Sequence, residues 1–426
     1  RWPRTGLVLP GGGARAAYQV GVLKAIARMM PPKSPTPFSV ISGTSAGAIN
    51  AASLAAHADR FRGAGRSLEA VWANFTSDQV YGTSPGEMLR SSLHWLAALT
   101  MGGLRVFNPP SLLNNAPLRQ LLEGQIPFER IQTNIERGYL HAAAVTVSSY
   151  HNARSISFFQ GHSELDHWHR ARREGRRGAL SLDHLMASAA VPLIFPPTQI
   201  GNAWYGDGAV RQLTPLSPAI HLGATRLLVI AVRDEHGYQP GAAHGPDRQP
   251  SLGETAGYLL DTLCMDGRYS DLERVTRINL LLERIDPERL TGPVAGLNRV
   301  ETLLMLPSRD IGELAEEHAH ELPRPVRVLL KGIGAYGKGG RQLISYLLFE
   351  RGFTRALIKL GFRDALERQD HILALIRGEP MEALDAPLDV AGDLSGGTGI
   401  HEAPVMPGQA AVAPRATGAA WQRRRG

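Results

Sequence analysis

Apolar runs of strand length alternate with stretches of helical periodicity through the first half of the chain. Strand-like runs fall at Leu7–Leu9, Phe38–Ile41, Leu140–Val147, Ile156–Phe159, Ala203–Tyr205 and Arg226–Val232. Helical patterns lie between many of them, among them Ala16–Met29 and the alanine-rich stretch from Ala46 to His57, alanine being the strongest helix former. This alternation predicts an α/β fold, a sheet with helices on both faces. From about Ser251 to Arg377 the pattern is mostly helical, with one strand-like run at Glu301–Leu306. That region either packs onto the core or forms a small appended domain. From Gly378 the chain turns to Gly, Pro, Ala and Asp with few large apolar residues, the composition of a disordered tail. The expected divisions are a core over 6–220, the rest of the core with a helical extension over 221–377, and the tail over 378–426.

One apolar stretch stands apart. Leu89 to Leu104 carries Leu93, Trp95, Leu96, Leu99 and Met101 and is too short to span a bilayer. It reads either as a lid or interfacial helix or as an ordinary buried one. Gly102-Gly103 and Pro109-Pro110 bracket its end and would permit hinging. No run in the chain reaches the ~18 apolar residues of a spanning helix.

The candidate chemistry begins at Ser42-Gly43-Thr44-Ser45-Ala46-Gly47, a G-x-S-x-G placed between a predicted strand and a predicted helix. A sharp strand-to-helix turn brings backbones close, and Gly43 and Gly47 supply flanks without side chains. Such a turn projects the Ser45 hydroxyl outward, beside the N–H groups of the helix's first turn. Upstream, Gly11-Gly12-Gly13-Ala14-Arg15 joins the first strand to the first helix. Consecutive glycine amides at a helix start can hold an anion or a developing oxyanion. Gly11, Gly13 and Ala16 also come near a dinucleotide fingerprint, but that motif needs an acid about 20 residues on, and the first acidic residue here is Asp59. Arg15 either anchors the loop or steers an anionic substrate. Far downstream, Tyr205-Gly206-Asp207-Gly208-Ala209 offers a carboxylate base, preceded by the small residues and prolines of Ala187–Pro197. A nucleophile, amide donors and a base suffice for acyl transfer.

These four segments, Gly11–Arg15, Gly43–Gly47, Ala187-Ser188-Ala189-Ala190-Val191-Pro192 and Asp207-Gly208-Ala209, occur in the order of patatin-like phospholipases, and the chain resembles bacterial members of that family over about residues 6–220. Ser345–Glu350 and Leu357–Gly361 resemble the C-terminal part of those members. Ala16 and Ala209 stand where many members have glycine. The resemblance implies a three-layer α/β sandwich with a mainly parallel central sheet. It also implies a Ser45–Asp207 dyad, with Asp207 taking the serine proton directly. The Gly11–Gly13 amides, with Ala46, would hold the oxyanion. Phospholipid or lysophospholipid would be the substrate. Two other readings stand beside it. One is an α/β-hydrolase triad completed by His221, His236 or His244, against which the elbow at the second strand comes too early. The other is a non-catalytic lipid-binding protein on the same scaffold.

Charge adds a partner. The chain has 426 residues and a net charge of +7, from 46 Lys and Arg against 39 Asp and Glu. The excess favours anionic partners. No nucleic-acid recognition motif accompanies it, so an anionic membrane surface, met transiently, is expected instead. The densest basic cluster, His167–Gly178, contains Arg170, Arg172, Arg173, Arg176 and Arg177. It is expected to form a loop, either facing lipid phosphates at the mouth of the site or simply solvated. The single cysteine, Cys264, falls in a helical stretch and reads as core rather than nucleophile. It leaves no internal disulfide and fits a cytoplasmic, peripheral location, although a start at Arg1 leaves room for a preceding targeting segment. No C-x-x-C, H-E-x-x-H or EF-hand pattern occurs, so neither metal nor cofactor is expected.

Overall fold

The apolar runs become strands of one ten-stranded sheet. A computed structural model describes residues 4–84, 86, 93–94, 111–233, 249, 251–265, 267–286, 290–294, 296–337 and 340–379. The strands are β1 (Thr5–Leu9), β2 (Val40–Thr44), β3 (Ala142–Ser149), β4 (Ser155–Gly161), β5 (Trp168–Arg170), β6 (Arg173–Arg177), β7 (Thr198–Ile200), β8 (Ala203–Asp207), β9 (Arg226–Ile230) and β10 (Glu301–Met305). Their order is β10-β9-β1-β2-β3-β4-β6-β5, with β8 also on β3 and β7 on β8. From β10 through β3 all pairs are parallel. Beyond β3 the pairing becomes mixed: β4 and β8 run antiparallel to β3, and β6 runs parallel to β4.

β1, β2 and β3 are buried along their whole length. Strands covered on both faces read as continuous apolar or small-residue runs, which is why the sequence pattern finds them. The helices are α1 (Ala17–Met29), α2 (Ala46–Ala56), α3 (Phe61–Trp72), α4 (Ala116–Glu123), α5 (Glu129–Glu136), α6 (Leu182–Ser188), α7 (Ser217–His221), α8 (Leu252–Met265), α9 (Gly267–Leu282), α10 (Ile311–His318), α11 (Arg324–Gly332), α12 (Arg341–Leu347), α13 (Arg351–Glu367) and α14 (Gln369–Arg377). On one face Val8, Val40, Ala144, Leu227 and Val229 pack with Leu216, Ala219 and Leu222 around α7 and with Val275 of α9. Leu7, Leu9 and Ile41 alternate to the other face, towards the layer of α1, α2 and α3. The result is a mixed α/β fold, mostly parallel at its centre, with a helical C-terminal region.

That C-terminal region is woven into the rest. β10 lengthens the sheet beside β9, and α13 lies along α1. Their crossing is close. A Cβ on Gly21 would fall 2.1 Å from the Ile358 carbonyl oxygen, and one on Gly361 2.2 Å from that of Tyr18. Residues 1–382 form one compact unit. The expected tail lies outside the described residues from 380 onward. The apolar stretch Leu89–Leu104 also lies outside them, except for Leu93 and His94. Cys264 lies in α8.

The basic cluster is a correction to the sequence reading. It forms no loop: β5 and β6 make a hairpin on the sheet edge, with Trp168, His169 and Arg170 paired to Gly175, Glu174 and Arg173. The charged composition hid these strands, because one face of an edge hairpin stays in water and lacks an apolar run.

Candidate active site

β2 runs three residues past the apolar run that announces it and ends on Thr44. Ser45 is therefore the single residue between β2 and α2, with φ 55° and ψ −130°. That is left-handed backbone, which a side chain normally avoids, and such strain marks a tightly held turn. The flanking glycines explain how the turn closes. A Cβ on Gly47 would lie 2.1 Å from the Leu9 carbonyl oxygen, and one on Gly43 2.4 Å from that of Gly47.

Asp207 stands in the corresponding place on another strand. β8 continues past its predicted end through Gly206 and finishes on Asp207. The backbone then turns into a short 3-10 helix, Gly208–Val210, capped by the aspartate itself through Ala209 N–H donating to Oδ1 at 2.9 Å. Gly208 is required there, since a Cβ would sit 2.1 Å from the Thr146 carbonyl oxygen.

β3 brings the two strand ends together. Thr44 pairs with Thr146, and Asp207 pairs with Val147, the next residue. β4 occupies the other side of β3 through the same register, so β8 continues the side that β2 leaves. β2 is parallel to β3 and β8 antiparallel, so their C-terminal ends meet head-on.

The α6 end locks this meeting. The Ser45 N–H donates to Ser188 Oγ at 2.8 Å, and Ser188 Oγ donates to the Thr146 carbonyl at 2.6 Å. The Asp207 N–H donates to the Ala190 carbonyl at 2.8 Å. One small-residue segment thus holds both candidate reactive residues. Tyr346 of α12 adds its phenol 3.5 Å from Ser45 Oγ. Ser188 and Tyr346 were not singled out from the sequence. Ser188 lies inside the Ala187–Pro192 motif and Tyr346 inside the Ser345–Glu350 segment, but nothing in either segment marks the individual residue.

Both candidate residues are almost wholly buried, Ser45 at 2% and Asp207 at 1% exposure. Burial pushes the Asp207 carboxyl up from the ordinary carboxylate range to about 7, against the Ser45 hydroxyl and the Ala209 N–H, which draw it down. The serine is close enough to act on the carboxyl, yet Oδ2 completes no hydrogen bond at rest. Beside them Tyr150 is shifted upward, first by burial and then by the Asp207 charge.

The glycine loop faces the elbow from β1. A Cβ on Gly11 would lie 2.8 Å from Ser45 Cβ, so Gly11 packs against the Ser45 side of the turn. Gly12 packs against Val232, and Gly13, at φ 57°, lies under Tyr346, whose carbonyl oxygen a Cβ would meet at 2.4 Å. Ala46 begins α2, where first-turn N–H groups have no acceptor within the helix. Arg15 takes the anchoring role of the two considered. It is buried, its Nε donates to Ser345 Oγ at 2.9 Å, and Nη2 donates to the Gln342 carbonyl at 2.8 Å and to Gln342 Oε1 at 2.7 Å.

The arginines of the hairpin are divided. Arg173 donates to Thr214, Arg176 pairs with Glu174 and reaches Tyr205 Oη at 3.1 Å, and Arg177 holds the carbonyls of Ser163 and Leu165. Arg170 and Arg172 are exposed at the hairpin turn. The register Ser148–Ser155–Arg173 sets that turn at the same end of the sheet as Ser45 and Asp207.

No histidine among the described residues hydrogen-bonds to Ser45 or Asp207. His221 stacks on Trp168 with centroids 4.3 Å apart and places Nδ1 2.8 Å from the Ser217 carbonyl. His236 and His244 lie outside the described residues. One group among the described residues could hold a metal ion: His141, His162 and Glu164, with ligand atoms within 4.8 Å of one another. It sits at the opposite end of β3, and Arg4 already pairs with Glu164 at 2.9 Å. Among the described residues no helix is long and apolar enough to cross a membrane.

Comparison with known proteins follows the same geography. Residues 7–220 match the family described as patatin-like phospholipase. Among solved structures, human GIVD cytosolic phospholipase A2 is similar at 11% identity and a TM-score of 0.43, over 88% of this chain and 60% of that one. VipD from Legionella pneumophila is similar at 12% identity and a TM-score of 0.27, over 93% of this chain and 92% of that one. The type III effector ExoU is similar at 13% identity and a TM-score of 0.26, over 88% of this chain and 59% of that one. The chain therefore spans about three-fifths of the human phospholipase. No curated protein sequence matches it.

Proposed function

The chain belongs to the patatin-like phospholipase family, and on that premise we propose that it hydrolyses an acyl ester of phospholipid or lysophospholipid through a covalent intermediate on Ser45. The observation that carries this reading is the meeting of Ser45 and Asp207 at two strand ends on β3. Asp207, poised near neutrality, takes the Ser45 proton as Oγ attacks the ester carbonyl. The amides of Gly11–Gly13 and Ala46 receive the oxyanion, a contribution of about 10²–10³-fold per donor. Collapse breaks the ester C–O bond, and Asp207 returns the proton to the leaving alcohol. Water then attacks the acyl-serine, gives its proton to Asp207, and releases the fatty acid as Ser45 regains its hydrogen.

Three exposed apolar side chains favour a substrate taken from a lipid surface. Leu193, before β7, is 65% exposed, Trp204, within β8, 50%, and Leu213, beyond the Gly208–Val210 turn, 69%. With the exposed Arg170 and Arg172, they offer apolar and cationic side chains suited to a transient contact with an anionic surface.

The test is hydrolysis of a short-chain p-nitrophenyl ester and of a phospholipid and lysophospholipid panel by wild type, Ser45→Ala and Asp207→Asn. Both variants are expected to lose at least about 10³-fold in kcat while keeping the wild-type circular dichroism spectrum. Activity that survives Ser45→Ala would overturn the mechanism.

A further inference from the structure

Helix α11 presents Arg324, Arg327, Val328 and Lys331. Their spacing of three, four and seven puts them on one face. The opposite face, Val326 and Leu330, is buried in the protein. With Tyr336 the four outward residues line a cleft of about 530 Å³. A second cavity of about 420 Å³ adjoins it, sharing Arg327 and Tyr336 and reaching Ile344 of α12.

The charge balance of this cleft is unusual. Elsewhere in the described residues arginines pair widely with acids. Here three cations share one wall, and none makes a side-chain hydrogen bond or ion pair among the described residues. The Arg327 Nε is buried with no acceptor. Three cations with no acid paired to them leave uncompensated positive charge at the cleft, which an anion can balance. The one acid lining the adjoining cavity, Glu316, is already held by Arg341. Beside the cations, Val328 is 72% exposed and Tyr336 43% exposed, so an apolar surface borders the charge.

We propose that this cleft binds a phosphate group that carries an apolar portion. Arg324, Arg327 and Lys331 receive the phosphate oxygens through the charged ends of their side chains. Val328 and Tyr336 receive the apolar part. The site is separate from Ser45, but the cavity beside it reaches Ile344 of α12, the helix whose Gln342 and Ser345 hold Arg15 and whose Tyr346 reaches Ser45. A ligand here would bear on the helix that supports the glycine loop.

The phosphate could come from a lipid headgroup or from a soluble phosphate ester. Ser45→Ala protein, which cannot turn over a bound ester by the proposed route, is titrated calorimetrically with inorganic phosphate and with hexyl phosphate. It is also sedimented with phosphatidylcholine vesicles with and without phosphatidic acid. The same is done after adding Arg324→Gln, Arg327→Gln and Lys331→Gln together, and after adding the exposed Lys331→Gln alone in case the triple variant unfolds. Hexyl phosphate is expected to bind more tightly than inorganic phosphate, and to weaken at least about tenfold in the triple variant and measurably in the single one. If phosphatidic acid vesicles show the same dependence, the headgroup is the source. If only hexyl phosphate does, the source is a soluble ester. No binding of hexyl phosphate, or binding that ignores these substitutions, overturns the proposal. Because Ser45 is absent throughout, the outcome is independent of the hydrolase reading.

Discussion

Ser45 and Asp207 meet because β2 and β8 end face to face on β3, against Thr146 and Val147. Neither residue is brought in on a mobile arm. Each closes a strand, and each has its backbone N–H tied to the segment that ends α6, Ser45 to Ser188 and Asp207 to Ala190. Rigid placement of this kind supplies orientation in advance, which is where much of the barrier reduction in acyl transfer is found. The following outcomes are expected from this arrangement.

Activity should rise with pH and stability should fall. In the proposed mechanism Asp207 must be ionised to accept the serine proton, and its carboxyl is raised from 3.8 to about 7 by burial. The kcat/KM profile is therefore expected to climb with unit slope and level off above about pH 7. In the unfolded chain the group ionises near its ordinary value, so between about 4 and 7 the folded state holds the extra proton. Stability contributed by the protonated form is complete below that window and lost as pH rises through it. At about 1.4 kcal/mol per pH unit, the loss is at most about 4 kcal/mol. Urea unfolding at pH 5 and pH 8 checks this: Asp207→Asn should gain stability relative to wild type between the two. A gap that does not widen would contradict it.

Ser188→Ala should slow the reaction without weakening binding. It leaves the Ser45 N–H and the Thr146 carbonyl without their shared partner. A buried donor left unsatisfied costs about 1–3 kcal/mol. If that cost appears as displacement of the elbow, kcat falls about tenfold or more with KM nearly unchanged. Steady-state kinetics on a soluble ester separates the two. Ser188→Thr, which keeps a hydroxyl, should recover part of the rate.

The elbow glycines should tolerate no methyl. Gly47→Ala places a Cβ 2.1 Å from a backbone oxygen, and Gly43→Ala one 2.4 Å from another. Backbone atoms cannot yield as a flexible side chain would. Each variant is expected to lose about 2–4 kcal/mol in denaturant unfolding. Gly124→Ala, where nothing lies within 4 Å, is the control and should stay within about 0.5 kcal/mol.

Arg15→Lys should behave as a disruptive change, although charge is kept. The guanidinium holds Ser345 and Gln342 through separate nitrogens, and an ammonium cannot reproduce that fork. Loosening of the glycine loop should lower kcat about tenfold or more, because oxyanion donors act in the transition state. The variant's melting temperature, measured alongside kcat, reports how much of the effect is global. A variant with wild-type kcat would show that the loop does not depend on this anchor.

The sequence by itself determined the apolar strands and the residue types at the two strand ends. Buried strands such as β1 and β3 must be apolar or small along their whole length, so their runs are visible without a structure. Gly43, Gly47 and Gly208 sit where neighbouring backbone leaves no room for a Cβ, a local demand that leaves a local trace. Tertiary structure alone decided the rest. β8 takes up the side of β3 where β2 stops, and nothing within either segment encodes that register. Tyr346 comes to Ser45, and Ser345 and Gln342 to Arg15, from the far end of the chain. The arginine-rich segment reads as a loop, lipid-facing or solvated, until Phe158 and Phe159 of β4 are seen paired with Arg176 and Arg177. The physical reason is the same in each case. Burial and backbone sterics act on a residue wherever the chain goes and so mark its type, whereas strand pairing and side-chain contacts join residues distant in sequence, and their partners exist only once the sheet has closed around β3.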